Sequence, residues 1–179
     1  MRVNSPGGSA YASEQIWKAV TELKEVKPVI VSMGDYAASG GYYISAAADW
    51  IVAEPMTLTG SIGIFAMIPS FEKLSKNVRL SVYFRNFNTE ERQLLQSSVE
   101  SGYDLFIKRC ADGRQMATDS IRMIAEGRVW TGTRAIELGL VNQLGGLKEA
   151  IAVAAEKAEI TNYRLRSYPQ EKSFFDELL

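Results

Sequence analysis

The 179-residue chain contains no histidine, and this absence restricts its chemistry more than any other feature of its composition. A catalytic Ser-His-Asp triad is excluded, because no imidazole is available as the base. A serine nucleophile in this chain would need another base, and lysine is the natural alternative. With Cys110 as the single cysteine, a disulfide framework and a thiolate metal cage are excluded too. Since the sequence also lacks an aspartate-rich calcium loop, we expect no metal and no cofactor.

Long apolar runs and an excess of one charge are missing as well. No stretch of about 18 apolar residues is present to form a transmembrane helix, so we expect membrane contact only through parts outside this sequence. The 20 basic and 21 acidic residues give a net charge of −1 without a basic run, and we therefore expect no nucleic-acid partner. Hydrophobic residues make up 46% of the chain, which predicts one globular domain over 1–179 with a substantial core.

The first half of the sequence alternates between helical and extended patterns. After a glycine turn at 4–9, we predict a helix over 10–25, a strand over 29–33, a helix over 40–48 and a strand over 50–53. Ser9 is the expected N-cap of the first helix, and Ile16, Val20 and Leu23 form its predicted apolar face. This alternation is typical of an α/β unit with a parallel sheet.

The second half is predicted to be mainly helical. Its longest helix begins at a capping box formed by Asn88 and Glu91 and ends near Arg114. Other predicted elements are a helix capped by Thr118, helices over 133–138 and 147–158, and short strands over 62–68, 78–84, 140–141 and 163–168.

Residues 34–43 form a turn of small residues with Ser39 at its centre. The flanking Ala38 and Gly40 allow the backbone to turn sharply and the serine side chain to project. If a helix begins at Gly40, its first N–H groups are unpaired and can stabilise an acyl oxyanion at the serine. The same residues also fit a strand-to-helix turn in which the serine only caps the helix.

A second glycine turn, with the sequence Asn-Ser-Pro-Gly-Gly, occupies 4–8. Pro6 fixes one dihedral angle, and the glycines permit positive φ angles, so that an N–H can face a ligand closely. In isolation this segment also fits an ordinary Pro-Gly turn. It does not have the residue spacing of a phosphate-binding loop.

The two turns, separated by one helix and one strand, resemble the S49 family of serine peptidases, the signal peptide peptidase A (protease IV) group. The Clp protease and crotonase folds are more distantly similar. Further motifs at 59–63, 102–106, 127–132 and 139–142 extend the resemblance over most of the chain. It implies an α/β fold of the Clp protease/crotonase type, with a mostly parallel sheet flanked by helices. It also implies that the chain is the C-terminal peptidase domain, a fragment of a longer two-domain, membrane-anchored protein.

The resemblance assigns roles to four residues. Ser39 matches the nucleophile, and the N–H groups of Gly7 and Gly40 match the oxyanion donors. Ser61 matches a serine that hydrogen-bonds the amine of a catalytic lysine. The implied substrates are cleaved signal peptides or other hydrophobic peptides. The implied setting is a homo-oligomer at the cell membrane, with this domain on the extracytoplasmic side.

The base is the point at which the sequence departs from the family. Short members carry the lysine in a Lys-Ser or Lys-Thr context after the motif that matches 59–63, whereas long members supply it from an N-terminal domain. Residues 77–85 have no such motif and are shorter than the corresponding segment of the family. Lys73 and Lys76 lie in a polar stretch, and Lys108 lies on a charged helix face. We therefore expect the N-terminal domain to supply the base and the chain alone to be nearly inert.

Two alternatives remain open from the sequence. One is a crotonase-like acyl-CoA hydrolase or isomerase, which would use the oxyanion site without a serine nucleophile and normally with a glutamate or aspartate base. The other is a non-catalytic domain that serves assembly. The turn around Ser39 argues against the first of these.

Overall fold

The computed structural model describes residues 1–67 and 87–169. In these ranges the chain forms a mixed α/β fold, which confirms the predicted class. The strands are β1 (Arg2–Ser5), β2 (Ile30–Ala38), β3 (Trp50–Ala53), β4 (Leu58–Gly60), β5 (Val129–Thr131) and β6 (Gln143–Leu144). The helices are α1 (Ala10–Lys24), α2 (Gly40–Ala46), α3 (Thr89–Arg114), α4 (Thr118–Ile124), α5 (Gly132–Glu137) and α6 (Leu147–Lys157).

The strand β2 is central in the sheet and pairs with three other strands. β1 runs parallel to one edge of β2, and Ser5 is the partner of Ala37 there. β3 and β4 share the other edge, both parallel to β2, with β3 beside the first residues of β2 and β4 beside the last. β6 continues the sheet parallel to β3, and β5 continues it antiparallel to β4.

The carboxyl ends of three parallel strands therefore lie side by side. Ala38 at the end of β2 is the partner of Gly60 at the end of β4, and β1 ends at Ser5 on the opposite edge. Segments that follow parallel strands leave the sheet at the same edge, which is where open α/β sheets place their ligand sites. The sheet thus brings the turn after β1, the turn after β2 and the turn after β4 together.

The helix termini agree with the local sequence. Ser9 caps α1 by accepting a hydrogen bond from the N–H of Ala12, and Asn88 and Glu91 form the predicted capping box at the start of α3. The prediction that Thr118 caps the next helix is wrong: Thr118 is the first residue of α4, and its N-cap is Ala117, which makes no side-chain capping bond.

The apolar face predicted for α1 is wrong in part. Val20 is buried, but Ile16 and Leu23 are each more than 40% exposed, and Ser13 is buried instead. The reason is the close packing of α1 on the start of α2. The position of a β-carbon on Gly40 would lie 2.6 Å from the Ser13 Oγ, so only a small side chain fits at residue 13.

Several predicted strands lie elsewhere in the structure. β2 extends to Ala38, because β1 pairs with Ala37 and β4 pairs with residues 36–38, which stabilises them as strand. The strand predicted over 62–68 is replaced by β4, and 61–67 has no regular structure. Leu140 and Val141 are buried without being a strand, which begins only at Gln143. Residues 163–167 have no regular structure, and the strand predicted over 78–84 lies outside the described residues.

The core fills the space between the sheet and helices α2 and α3. Its largest fully buried side chains include Tyr42, Phe106 and Met33. α3 approaches the end of α2 so closely that a β-carbon on Gly113 would overlap the carbonyl oxygen of Ala46. The short helix α2 is therefore held on several sides, which fixes the backbone of the residues before it.

Candidate active site

Ser39 lies where β2 ends and α2 begins, in a strained backbone conformation. Its φ of 51° and ψ of −118° are unusual for a residue with a β-carbon. Two main-chain hydrogen bonds hold this conformation: the Ser39 N–H donates to Gly60 O at 2.8 Å, and the Tyr43 N–H donates to Ser39 O at 2.8 Å. Strain of this kind persists only where the surrounding structure enforces it, and it is concentrated at functional sites.

The hydroxyl of Ser39 does not cap the helix. Ser39 occupies the N-cap position of α2, but its side chain makes no capping hydrogen bond. The residue is partly exposed and lines two adjoining cavities. The sequence-based alternative of a serine that serves only as a helix cap is therefore not what the structure contains.

The two glycine turns meet at this serine. Gly7 has a φ of +116°, and a β-carbon added to it would lie 2.7 Å from Ser39 Cβ and 3.0 Å from Gly40 N. A β-carbon added to Gly40 would in turn lie 3.2 Å from Gly8 N. Real β-carbons essentially never approach another atom within 3.0 Å, so Gly7 has no room for a side chain, and the space at Gly40 is tight.

The two candidate oxyanion donors differ in their present bonding. The Gly40 N–H makes no hydrogen bond to any other described residue, as expected for the first residue of a helix. The Gly7 N–H donates to the Oγ of Ser5 at 3.2 Å. A substrate oxygen held by both glycines would have to replace this long bond. Ser5 was not singled out from the sequence, where only its place in the turn could have indicated it.

Ser61 follows β4 directly, and β4 pairs with the edge of β2 opposite to the one that pairs with β1, the strand before Gly7. Ser61 has a φ of 48°, and its N–H donates to Arg128 O at 2.7 Å. Ser61 and Ser39 line the same cavity of about 550 Å³, together with Glu126. Glu126 is the single carboxylate among the described residues that line the cavities at Ser39, and it forms an exposed ion pair with Arg128.

The second cavity at Ser39 is mainly apolar and has a volume of about 340 Å³. Tyr43 of α2 and Phe106 of α3 line it, with ring centroids 4.6 Å apart, and Ile64 and Phe65 line it from the segment after β4. Sequence reasoning did not connect Tyr43 with Phe106. Their spacing of more than sixty residues gives no signal, because the contact depends on the packing of α2 against α3.

No lysine lines either cavity within 1–67 and 87–169. Lys18 and Lys24 face acidic side chains at 3.9 and 3.5 Å, and Lys157 lies over the ring of Trp50. Lys108 is exposed on α3. Lys73 and Lys76, the nearest candidates in the sequence, lie outside the described residues. None of the lysines whose positions the structure gives therefore faces Ser39 from a cavity wall.

In the described part of the chain, no group of three or more acidic or cysteine side chains is arranged to bind a metal ion. None of the described helices has the length and the apolar character needed to cross a bilayer.

A strained serine at a strand-to-helix turn, with an unpaired N–H beside it, is the arrangement of a serine hydrolase. The profile of peptidase family S49 matches residues 21–84 and 76–161, and the chain belongs to this family of serine peptidases. This confirms the resemblance drawn from the motifs and favours a peptidase over the acyl-CoA and assembly alternatives.

Named relatives are similar over most of this chain. A chloroplast serine protease SPPA of Arabidopsis thaliana is 43% identical over 89% of the chain, and a Protease 4 of Haemophilus influenzae is 42% identical over 87%. A putative signal peptide peptidase SppA of Enterococcus faecium is 32% identical over 98%. The matched region is 26%, 28% and 55% of these three relatives, so the chain spans only part of their length.

Proposed function

We propose that this chain is the peptidase portion of a longer serine endopeptidase, in which Ser39 attacks the carbonyl carbon of a peptide bond. The observation that supports this most strongly is the meeting of Gly7 and Gly40 at a strained, uncapped serine. Ser39 Oγ would lose its proton to a lysine amine and form a bond to the carbonyl carbon. The carbonyl oxygen would become an oxyanion held by the N–H groups of Gly7 and Gly40. Each such donor contributes about 2.7–4 kcal/mol to catalysis.

The proposed base is a lysine supplied by an N-terminal domain of the same protein. A lysine must be neutral to accept a proton, and burial can lower its pKa by about 3–5 units. The described lysines are paired with carboxylates, stacked on an aromatic ring or exposed, which does not suit this role. Ser61 lines the cavity beside Ser39, where its hydroxyl would hold the incoming amine.

The wider features of the protein belong to the same proposal. The parallel pairing of β2 with β1, β3 and β4 supports a mostly parallel sheet of the Clp protease/crotonase type. The limited share of the named relatives that the chain covers supports a single S49 domain within a two-domain, membrane-anchored protein. We propose hydrophobic peptides, including cleaved signal peptides, as substrates. The protein would act as a homo-oligomer at the cell membrane, with this domain on the extracytoplasmic side.

Complementation by the preceding domain tests the proposal. The 179-residue chain alone should label weakly with a fluorophosphonate probe and cleave peptides at less than about a hundredth of the rate of the chain expressed with the sequence that precedes it in its gene. Ser39→Ala should abolish both signals in the longer form. Full activity of the chain alone would contradict the proposal that an N-terminal domain supplies the base.

Two lysine variants distinguish an internal from an external base. In the longer form, Lys73→Ala and Lys76→Ala should retain activity, because neither lysine is the proposed base. Loss of activity in either variant, with fluorophosphonate labelling of the chain alone, would place the base within this sequence. Activity that survives Ser39→Ala would overturn the peptidase mechanism itself.

A further inference from the structure

Tyr43 connects the nucleophile to the apolar cavity beside it. Its N–H donates to Ser39 O at 2.8 Å, so Tyr43 lies one helical turn after the serine on α2. Its ring is buried, packs against Phe106 and lines the cavity of about 340 Å³ that Ser39 also lines. Any displacement of this ring therefore changes the shape of the cavity next to the proposed scissile bond.

The hydroxyl of Tyr43 is held by an ion pair from two other helices. It donates to Glu14 Oε2 on α1 at 2.6 Å. Arg109 on α3 donates to both oxygens of the same carboxylate, through Nη2 to Oε1 at 2.6 Å and through Nε to Oε2 at 3.2 Å. A bidentate arginine–carboxylate pair has a fixed geometry, so it orients the Glu14 carboxylate that accepts the hydrogen bond from the tyrosine hydroxyl.

The residues around Glu14 keep its carboxylate charged and in place. Desolvation disfavours the charged carboxylate of Glu14, but hydrogen bonds from Arg109 and Tyr43 outweigh it and lower the pKa of Glu14. The guanidinium of Arg109 also stacks on Trp17, 3.8 Å from the ring centroid. Lys18 lies 3.9 Å from the carboxylate at the solvent side. The carboxylate thus has partners on α1, α2 and α3 and little freedom to release Tyr43.

The hydrogen bonds among Glu14, Tyr43 and Arg109 connect three helices, but a connection of this kind does not require that the tyrosine also line a cavity. The apolar side chains of Phe106, Ile64 and Phe65 line the same cavity as the Tyr43 ring. The hydroxyl of Tyr43 donates its hydrogen bond to the Glu14 carboxylate. The ring can therefore present its carbon atoms to the cavity while its hydroxyl is fully satisfied. The cavity is therefore suited to an apolar side chain.

We propose that Tyr43 is a specificity-determining residue, and that Glu14 and Arg109 are positioning residues that hold its ring. The ring forms one wall of the cavity beside the cleaved bond and thereby limits the size of the apolar substrate side chain that enters it. This inference rests on the proposed peptidase function.

A series of peptides that differ only at the residue before the cleaved bond provides the test. We compare kcat/KM for leucine and tryptophan at that position, in the chain expressed with its preceding sequence. The ratio of tryptophan to leucine should rise at least tenfold in Tyr43→Ala, because removal of the ring enlarges the cavity. Tyr43→Leu fills part of the core and serves as a second variant if Tyr43→Ala does not fold.

The positioning role has a sharper signature in a double-mutant cycle. Tyr43→Phe keeps the ring but loses the bond to Glu14, and Glu14→Ala removes its acceptor. Each should raise the tryptophan-to-leucine ratio about threefold, and the double variant should show no further increase, because both remove one interaction. Additive effects, or no effect of Glu14→Ala on the ratio, would show that Glu14 is merely structural and overturn its positioning role.

A matched control and a second measurement separate this inference from the proposed function. Asp104→Asn breaks an exposed ion pair with Arg122 away from the cavity and should leave the ratio unchanged.

Binding of the corresponding product peptides, with a free carboxylate after leucine or tryptophan, is measured by calorimetry on the 179-residue chain without any need for cleavage. The same shift in preference is expected in Tyr43→Ala. If wild type cleaves through Ser39 or binds these peptides, and the preference is unchanged in Tyr43→Ala and Tyr43→Leu, the inference fails while the proposed function stands. If nothing is cleaved and no product peptide is bound, both fail.

Discussion

Gly7 and Ser39 approach so closely that a β-carbon on Gly7 would lie 2.7 Å from the β-carbon of Ser39. The two residues come from turns that follow different strands, β1 and β2. Their contact joins the candidate nucleophile to one of its candidate oxyanion donors, and it depends on the absence of a side chain at position 7.

Gly7→Ala should therefore destabilise the chain by about 2 kcal/mol or more, through the strained φ of +116° and the clash with Ser39. Urea unfolding measures this without any need for activity. The neighbouring Gly8 is the matched control, because a β-carbon there would meet no atom within 4 Å. Equal losses of stability in Gly7→Ala and Gly8→Ala would mean that the close approach to Ser39 is not the cause.

Ser39→Gly should remove activity and yet stabilise the fold. A serine at φ 51° and ψ −118° carries strain of about 1–3 kcal/mol, which glycine relieves. Glycine costs about 0.5–1 kcal/mol through the entropy of the unfolded chain, so a net gain of roughly 1 kcal/mol is expected. Ser39→Ala keeps the β-carbon and the strain, and its unfolding midpoint should stay close to wild type. A Ser39→Gly variant less stable than Ser39→Ala would contradict the assignment of strain.

Glu14→Gln should lower stability in a pH-dependent way. The pKa of Glu14 is lower in the folded chain, so its contribution is present above its unfolded pKa of about 4.3 and is lost as the pH falls through the folded value. The free energy of unfolding of wild type should exceed that of the variant by about 2 kcal/mol at pH 7, and this difference should shrink below pH 4. Urea unfolding at both pH values measures it. A difference that is constant from pH 7 to pH 3 would refute the role of the charged carboxylate.

Gly113→Ala and Gly102→Ala form a matched pair on α3. Alanine normally favours a helix interior by about 1 kcal/mol over glycine, so Gly102→Ala should be neutral or stabilising, since only the flexible tip of Ile64 lies near it, at 3.0 Å. A β-carbon on Gly113 would overlap the backbone of Ala46, which cannot move without displacing α2. We expect Gly113→Ala to lose at least 2 kcal/mol in thermal unfolding. A thermal stability of Gly113→Ala equal to that of Gly102→Ala would contradict the close helix contact.

Much of the site could be predicted because its parts are local. The small residues around Ser39 and the glycines at 7 and 8 are visible in the sequence, and their motifs indicate the family. The helices with clear caps, α1 and α3, were predicted to within a residue or two. The strands were predicted less well, because pairing with β1 and β4 extends β2 to Ala38 and no local pattern indicates such pairing.

By itself, the sequence determined which chemistry is possible. Without histidine a serine nucleophile must use another base, and only glycine allows two turns to approach one hydroxyl. The tertiary structure decided which residues meet. The parallel strands β1, β2 and β4 end side by side, and the packing of α1, α2 and α3 brings Glu14 and Arg109 to Tyr43. Such contacts span many tens of residues, so they follow from the packing of whole elements and leave no local pattern in the chain.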